Sequence, residues 1–535
     1  MIKSLHIINN NNKVKLPFTG DNSIVLDYSS FLLKNINSFY IEIEFYSEII
    51  AFRNHDYSWI NLDNNRIANN FSTKAIKLND GNYVQANNNE GIWEVKKADL
   101  NKLIWHFNPK FSNSLTSYGE KNTKKITQAN FIYNEKKIPT LLFSKKGIIE
   151  VSRSKVPYSA IICFTDHCDF DTLDLLEKQR IFFKKYDIKI TKGFFLNHFS
   201  KRNDNSSWQN ENLELTKWIE DNHELAYHSL SQSIKGKYES LLDFDSFIPP
   251  LNISTWIDHG YQPYNLSLYK KENLNENYYS EKLKHKKVEI LWNYLDSGTA
   301  TSQVINQLNN KQFTLNYFWK GIKNKPLKKK LSLFIKNAIV HFYNDEFLIK
   351  NYSDLASSFK KFSKTKSIKD AVKFIKKSSQ VLYPLLKILI LWKINKDKVY
   401  PLAYYTPIFF EHTISNNKFI VFQTLELLDF KNALSLNSIK SLIEESGIFI
   451  GHTYFAVPME YHDGKIFDKN GKINTIVNQN FNYISEKIKD KTIWNPTLIE
   501  LVNYWKLYTS IEFKINENQE ITLKNNTQLT YRLII

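Results

Sequence analysis

The sequence predicts an α/β fold with parallel strands at its centre, and three observations support that prediction. Residues 158–165 form an almost uninterrupted apolar run, as expected for a strand buried on both faces. The segments that follow alternate between strand-like and helix-like patterns up to residue 228, which is typical of βαβ units with right-handed crossovers. Hydrophobic residues make up 42% and aromatic residues 15% of the 535 positions, so the chain can bury a large core.

The first 150 residues are predicted to form a β-rich N-terminal domain, either a sandwich or a small mixed domain. Turn signals such as Asn79-Asp80-Gly81-Asn82 separate short segments that favour strands. We find no group of catalytic residues in this part of the sequence. The predicted strands cover residues 23–27, 38–46, 103–107 and 140–144.

Residues 151–510 are predicted to form the alternating domain. Asp171 or Thr172 can cap a helix after the first buried strand, because either side chain accepts a hydrogen bond from a free backbone N–H group. Further strands are predicted at residues 192–196, 224–228, 253–257, 288–294, 419–425 and 447–454, and helices at 212–221, 438–445 and 497–507.

A helical insertion is predicted to interrupt this alternation between residues 300 and 405, approximately. A short C-terminal β tail, residues 511–535, is expected from strand-like patterns at 510–515 and 529–534. The helical segments of the insertion are predicted at residues 302–308, 328–342, 352–362, 368–377 and 381–392.

The formal net charge of +18 is concentrated in one part of the chain, since residues 320–377 contain 16 lysines and four acidic residues. The apolar segment 381–392 follows directly and is too short to span a bilayer. Residues 320–393 are therefore predicted to dock on an anionic membrane surface. The alternative is a solvated basic face beside a buried core helix. No nucleic acid is expected as a partner, because no recognition motif accompanies the charge.

The two cysteines, Cys163 and Cys168, are too few for a disulfide framework and fit a reducing compartment. The first residues contain no apolar run of signal-peptide length, and no run of about 18 apolar residues occurs anywhere. We therefore expect a cytoplasmic protein that binds peripherally to the membrane.

The segment from Phe164 to Thr172 is the most informative one for function. Asp166, His167 and Asp169 follow the predicted buried strand directly, with Asp171 two positions further on. Parallel barrels place their active sites at the carboxyl ends of the strands. A divalent metal would satisfy several of these crowded polar groups at once. The alternative is a polar loop in which Asp171 only caps the next helix.

Three other predicted strand ends carry similar side chains. His228 ends one strand, Asp258 and His259 follow a second, and His452 ends a third. Asp296 is a weaker candidate, because the Asp-Ser-Gly sequence that contains it is also common in turns. The coincidence of four such strand ends favours one shared site over unrelated structural residues.

In order and spacing, these segments resemble the NodB-type polysaccharide deacetylases of carbohydrate esterase family four. Cys163-Phe-Thr-Asp-His-Cys-Asp stands where the family has Thr-Phe-Asp-Asp-Gly. Glu224-Leu-Ala-Tyr-His-Ser-Leu-Ser-Gln232 is similar to the second motif, His-Ser/Thr-x-x-His, and Ile450-Gly-His452 to the last one. The resemblance covers about residues 155–300 and 405–510. It implies a deacetylase-type distorted (β/α) barrel as the fold of this domain.

Two departures from the family pattern bear on the expected site. The first motif reads Thr165-Asp166-His167 where the family has paired aspartates, and Gln232 replaces the second metal-binding histidine. Either His167, Asp169 or His259 completes the metal shell, or the site is degenerate. We favour replacement, because the lost histidine is accompanied by additional His and Asp residues at neighbouring strand ends.

The resemblance implies a metal-dependent deacetylase that removes N-acetyl groups from a bacterial-type glycan or a lipid-linked glycan precursor. A divalent metal, with zinc favoured, would polarise the carbonyl and activate a water. Asp166 would be the base and His452 the acid that protonates the leaving amine. The resemblance assigns metal binding to His167, Asp169 and His228. Substrate binding is predicted for four residues near the same strand ends: Trp256, Asp258, His259 and Asp296.

Two alternative functions are consistent with the same residues. Thr165 and Gln232 allow a non-catalytic glycan-binding protein built on a degenerate deacetylase barrel. A barrel amidohydrolase that acts on small carbon–nitrogen substrates is the other alternative, since a fold does not determine its substrate.

Overall fold

The structure is a computed structural model in which most of the chain is described. The described residues include the four strand ends singled out above and nearly the whole helical insertion. They are residues 1–9, 12–29, 38–109, 113–116, 124–127, 137–201, 205–259, 262, 264, 276–293, 296–414, 417–455, 465–468, 470–525 and 527–535.

The N-terminal part consists of short antiparallel strands, most of them in two sheets. Its strands are β1 (Ile2–Asn9), β2 (Asn12–Lys15), β3 (Ser23–Val25), β4 (Phe39–Phe45), β5 (Ile49–Arg53), β6 (Trp59–Ile60), β7 (Arg66–Ala68), β8 (Ala75–Leu78), β9 (Tyr83–Ala86), β10 (Ile92–Val95), β11 (Lys102–Phe107), β12 (Asn113–Thr116), β13 (Lys124–Thr127), β14 (Thr140–Ser144) and β15 (Ile148–Val151). One sheet has the order β2-β1-β4-β11-β10-β7 and the other β3-β14-β9-β8-β5-β6.

These two sheets share a single hydrophobic core. In β4 the buried residues alternate with less buried ones, so Ile41 and Ile43 point inward. They pack with Trp93 and Trp105 of the same sheet and with Phe143 of the other sheet. Alternation of this kind covers one face of each sheet, which is how two sheets form a sandwich.

The C-terminal part contains a larger sheet built mainly from parallel strands. They are β16 (Ala160–Asp166), β17 (Thr191–Phe194), β18 (Glu224–Tyr227), β19 (Thr255–Trp256), β20 (Ile290–Trp292), β21 (Gly298–Thr299), β22 (Phe409–Ile414), β23 (Asn417–Phe422), β24 (Leu425–Glu426), β25 (Ile448–Thr453) and β26 (Ile493–Trp494). The order is β21-β24-β25-β16-β17-β18-β19-β20-β23-β22, with β26 beside β16. All pairs are parallel except the hairpin β22–β23.

The predicted fold class, an α/β structure with a deacetylase-type distorted (β/α) barrel, is wrong. The described strands form a half-barrel sheet with β21 and β22 at its two ends, and most other strands of the chain lie in antiparallel sheets. The strand–helix alternation is interrupted between β20 and β24, because no crossover helix separates β20 from β21 or β23 from β24 in the described chain. Between β23 and β24, Gln423 and Thr424 belong to neither strand and interrupt the ladder.

The helices pack against this sheet or form the inserted block. They are α1 (Leu173–Tyr186), α2 (Trp208–Glu220), α3 (Lys237–Ser246), α4 (Glu276–His285), α5 (Leu315–Gly321), α6 (Leu327–Asn337), α7 (Glu346–Thr365), α8 (Ile368–Ile390), α9 (Trp392–Asn395), α10 (Phe430–Ala433), α11 (Leu436–Glu444), α12 (Thr475–Lys489) and α13 (Leu498–Thr509). A π-helical turn, Ala338–Tyr343, continues α6, and short 3₁₀ turns occupy Asn310–Gln312 and Pro401–Ala403.

The inserted block differs from the prediction at several points. Residues 302–308 form turns and not a helix, because the Asn306 side chain accepts hydrogen bonds from the backbone N–H groups of Leu308 and Ile448. Helix α8 is continuous through Pro384, where the sequence had predicted two helices. No helix in the described part of the chain is long and apolar enough to cross a membrane.

The C-terminal strands return to the N-terminal part. Strands β27 (Phe513–Ile515) and β28 (Ile521–Leu523) form a hairpin. The last strand, β29 (Tyr531–Ile534), pairs antiparallel with β15. The division into domains at residues 150 and 510 stays a prediction.

Candidate metal centre

Four imidazoles meet at one edge of the half-barrel sheet. His167 directly follows β16, His228 directly follows β18, His259 follows β19 by three positions, and His452 lies in β25. These strands are neighbours in the order β25-β16-β17-β18-β19 and run parallel. Their carboxyl ends therefore lie together, which brings residues from distant parts of the sequence to one place.

The alternation of side chains in β16 determines which of its residues face this centre. Ile161 and Cys163 belong to the core inside the sheet, whereas Ile162 and Phe164 belong to the core beneath the helices. Thr165 continues the first series and contacts His452. Asp166 continues the second series, so it points away from the imidazoles, as strand alternation requires.

His167, Asp169 and His228 form a compact group in which the potential ligand atoms lie within 4.8 Å of one another. Asp169 holds two of the imidazoles: its Oδ2 lies 3.0 Å from Nε2 of His228, and its Oδ1 lies 3.0 Å from Nδ1 of His259. Two imidazoles and one carboxylate are a common ligand set for zinc and other divalent metals.

The protonation states of this group suit metal binding. Burial would raise the pKa of Asp169, but the charges and hydrogen bonds of His259 and His228 outweigh that effect and hold the pKa well below its usual range. Burial lowers the pKa of His167 well below the ordinary value, and the neighbouring imidazoles add to the shift. Burial also lowers the pKa of His228. A metal requires an anionic carboxylate and neutral imidazoles, so it would replace any proton that the imidazoles share with Asp169.

His452 is buried beside this group, with its ring centre 3.8 Å from that of His167. The Thr165 hydroxyl donates to the carbonyl of Gly451 at 3.3 Å and lies 2.7 Å from Nδ1 of His452. We assign the hydroxyl proton to the Gly451 carbonyl, in which case the hydroxyl oxygen accepts from Nδ1–H and the lone pair of the ring lies on Nε2. Nε2 itself has no hydrogen-bond partner among the described residues. Burial holds the pKa of His452 well below the ordinary value.

Aromatic rings enclose the centre. Tyr454 stacks on His167 with 4.6 Å between ring centres, and Trp292 lies 4.3 Å from His452. Phe195 packs against His228 at 5.3 Å. These rings cover faces of His167, His228 and His452, and the reduced contact with water strengthens electrostatic interactions at the site.

Asp166 belongs to a separate group of buried ions behind the centre. Lys192 in β17 donates to both Asp166 and Asp171, and its Nζ lies 3.2 Å from Oε1 of Gln179. Burial, with the charge of Asp171, raises the pKa of Asp166 to about 7 despite the opposing effect of Lys192. The cap of helix α1 is Thr172, not Asp171. The geometry therefore gives no support to the prediction that Asp166 is the base.

The four residues predicted to bind substrate occupy different places. His259 lies at the centre, where its Nε2 contacts the carbonyl of Gln232 at 3.1 Å. Trp256 is buried in the core beneath the helices, and its Nε1 donates to Asp258 at 2.9 Å, so these two residues do not face the imidazoles. Asp296 accepts a hydrogen bond from the Thr424 hydroxyl, and that hydroxyl accepts one from Nε1 of Trp292. Asp296 is therefore connected to His452 only indirectly, through the Trp292 ring.

Two observations indicate that the described residues fit a divalent metal. The first is the ligand group His167, Asp169 and His228. The second is that Nδ1 of His228 and Nε2 of His452 are buried and have no hydrogen-bond partner in the described part of the chain. Buried orphan nitrogens are costly unless a ligand or a substrate satisfies them. The side chain of Gln232 is turned away to the backbone of Phe199 and Ser206, so it does not occupy the place of a ligand.

Sequence reasoning missed two residues of this region. Lys192 was not singled out, although a lysine inside an otherwise apolar strand signals a buried ion pair. Lys465 is buried, and its Nζ has no hydrogen-bond partner among the described residues. Burial lowers the pKa of Lys465 to about 7. No sequence signal identifies Lys465, because its surroundings depend on the fold.

Comparisons with known proteins do not assign a family. No protein-family model matches the sequence, and no curated protein matches it either. Among solved structures, the GH31 dextranase of Flavobacterium johnsoniae complexed with glucose is 9% identical, covers 54% of this chain and 38% of its own, and has a TM-score of 0.22. A xylosidase from Aspergillus niger is also 9% identical, covers 55% and 42%, and has a TM-score of 0.19. Likenesses at this level carry no argument about fold or function.

Proposed function

We propose that the protein is a metal-dependent hydrolase of an amide bond that removes N-acetyl groups from a glycan. The observation that carries the proposal is the convergence of His167, Asp169, His228 and the orphaned Nε2 of His452 at one end of the parallel strands. The acetylated glycan as substrate rests on the resemblance of three sequence motifs to polysaccharide deacetylases.

In the proposed site His167, Asp169 and His228 would hold the metal, with His259 fixing the second oxygen of Asp169. When bound, a divalent metal polarises the N-acetyl carbonyl and lowers the pKa of a water. Tyr454 and Trp292, which lie against His167 and His452, would line the place where the substrate binds.

His452 is positioned to transfer the proton of the reaction. Its neutral ring has a lone pair on Nε2, so it accepts a proton as the water oxygen attacks the carbonyl carbon. The imidazolium then gives that proton to the leaving nitrogen as the carbon–nitrogen bond breaks, which yields a free amine and acetic acid, and the acid loses its proton to solvent as acetate. His452 thus combines the predicted role of acid with the role of base, and Asp166 takes no part.

Replacing His228 by alanine tests the proposal. The variant keeps Asp169 but loses one imidazole of the ligand group, so we expect bound metal to fall at least about tenfold. Acetate release from an N-acetylated chitooligosaccharide should become undetectable. Metal content by elemental analysis and acetate by a coupled assay measure the two effects.

His285→Ala is the matched control, because His285 is an exposed histidine at the end of helix α4. It should leave both metal content and acetate release unchanged. Full metal occupancy and full activity in His228→Ala would remove His228 from the site and overturn the proposed function.

A further inference from the structure

Helix α8 presents an apolar face that no other part of the described structure covers. We define the apolar stripe as Ile368, Val372, Ile375, Leu382, Leu386 and Ile390, whose exposed fractions range from 47% to 84%. At 3.6 residues per turn these positions fall within a sector of about 80° along the helix. Isolated exposed apolar residues are common, but a continuous stripe of this size marks an interaction surface.

The opposite face of α8 accounts for the packing of the helix. Val381, Leu385 and Ile388 are buried in the main core. Phe374 packs against two rings of α7, Phe359 at 5.5 Å and Phe362 at 6.2 Å. The folding of the hairpin α7–α8 therefore does not require the apolar stripe, which is left for another partner.

Lysines border the apolar stripe along one side. We define the basic flank as Lys369, Lys373, Lys376 and Lys387, which are all exposed. The acidic residues nearby are already engaged, since Asp370 pairs with Lys361 at 3.2 Å and Asp354 with Lys377 at 2.9 Å. The surface next to the stripe therefore keeps a strong positive charge.

We propose that the apolar stripe and the basic flank of α8 dock the protein on an anionic lipid bilayer. The helix would lie in the plane of the interface, with the stripe among the acyl chains and the lysines on lipid headgroups. The charge selects this partner over a second copy of the chain, because two copies meeting through the stripe would bring their basic flanks together. Helix α8 does not qualify as a membrane span, which agrees with a helix that lies on the surface.

Co-sedimentation of the full chain with vesicles tests this proposal. We expect binding to vesicles of phosphatidylcholine with phosphatidylglycerol, weaker binding as NaCl is raised, and little binding to phosphatidylcholine alone. Leu386→Asp/Ile390→Asp, and separately Lys369→Glu/Lys373→Glu/Lys376→Glu, should each lower the partition coefficient by about tenfold or more.

A variant with Leu213→Asp and Lys440→Glu is the matched control, since both positions are exposed and lie outside the insertion. It should bind as the wild type does, and thermal melting checks that all variants are folded. His228→Ala should also bind normally, so this test is independent of the proposed enzyme activity. Failure of the folded wild type to bind anionic vesicles overturns the proposal. So does a dimer that Leu386→Asp/Ile390→Asp converts to a monomer without any vesicle binding.

Discussion

At the residue scale, the ionisation of His452 determines how the proposed reaction depends on pH. The ring must be neutral to accept a proton, and burial holds its pKa well below the ordinary value of about 6.5. We therefore expect kcat/KM to stay level as pH falls through 6.5 and to decrease only in more acidic solution. The measurement is a pH–rate profile on the N-acetylated oligosaccharide with metal content checked at each pH.

The slope of that profile separates the two possible roles of His452. An enzyme that needed the imidazolium at the start would become more active as pH fell, which would contradict the assignment of His452 as base.

Thr165→Val removes the hydroxyl that fixes the tautomer of His452 and should lower kcat more than it changes KM. Thr453→Val is its control, because that hydroxyl donates to the carbonyl of Leu427 and not to His452.

At the element scale, Lys192 of β17 connects its strand to Asp166 of β16 and to Asp171 in the loop before helix α1. It is fully buried with Asp166 and Asp171, and the two carboxylates raise its pKa above the usual value despite burial. Lys192→Met leaves two buried carboxyl groups without their cation and should lower the free energy of unfolding by about 3 kcal/mol or more. Urea denaturation at neutral pH measures the loss.

Two comparisons make this stability prediction specific. Lys189→Met removes a partly exposed partner of Glu500 at 2.8 Å and should cost less than about 1 kcal/mol. Burial already raises the pKa of Asp166 to about 7, and without Lys192 the carboxyl would hold its proton more strongly. Because the protonated form tolerates burial, the loss in Lys192→Met should be smaller at pH 5 than at pH 8. Equal losses in both variants would show that Lys192 has no special role.

The elements also show how far the sequence could predict the site. His228 and His452 could be placed at strand ends because each ends a short apolar run, and a parallel sheet collects such ends at one edge. Trp256 and Asp258 were predicted to face the site, but they lie on the other side of the strand. Alternation assigns neighbouring positions to opposite faces, so an error of one position in a strand as short as β19 reverses the side.

At the scale of the whole molecule, the fold could be predicted only in its local parts. The β-rich N-terminal part, the helical insertion and the terminal strands all have periodic patterns of their own. Whether a parallel sheet closes depends on contacts between residues far apart, such as Ser297 with Thr424, which leave no local pattern. The pairing of β15 with β29 also leaves no local pattern, because it joins segments that are far apart in the sequence.

That pairing leads to a prediction about cooperativity. Glu150 in β15 is completely buried and binds Arg53 of the N-terminal sheets through two bonds of 2.7 Å, and Arg532 of β29 at 2.7 Å. Glu150→Gln would leave the buried Arg53 guanidinium without its counter-charge, at a cost of about 3 kcal/mol or more. Since Ala75 and Leu142 of the N-terminal sheets share one hydrophobic core with Ile161 and Ile450 of the half-barrel sheet, the two parts should unfold together. Calorimetry should show one transition that shifts to lower temperature in Glu150→Gln.

In the control Glu520→Gln, which loses an exposed ion pair with Lys146 at 3.3 Å, the midpoint of the transition should hardly move. Two separate transitions, of which Glu150→Gln shifts one, would show instead that the N-terminal sheets unfold independently of the proposed metal centre.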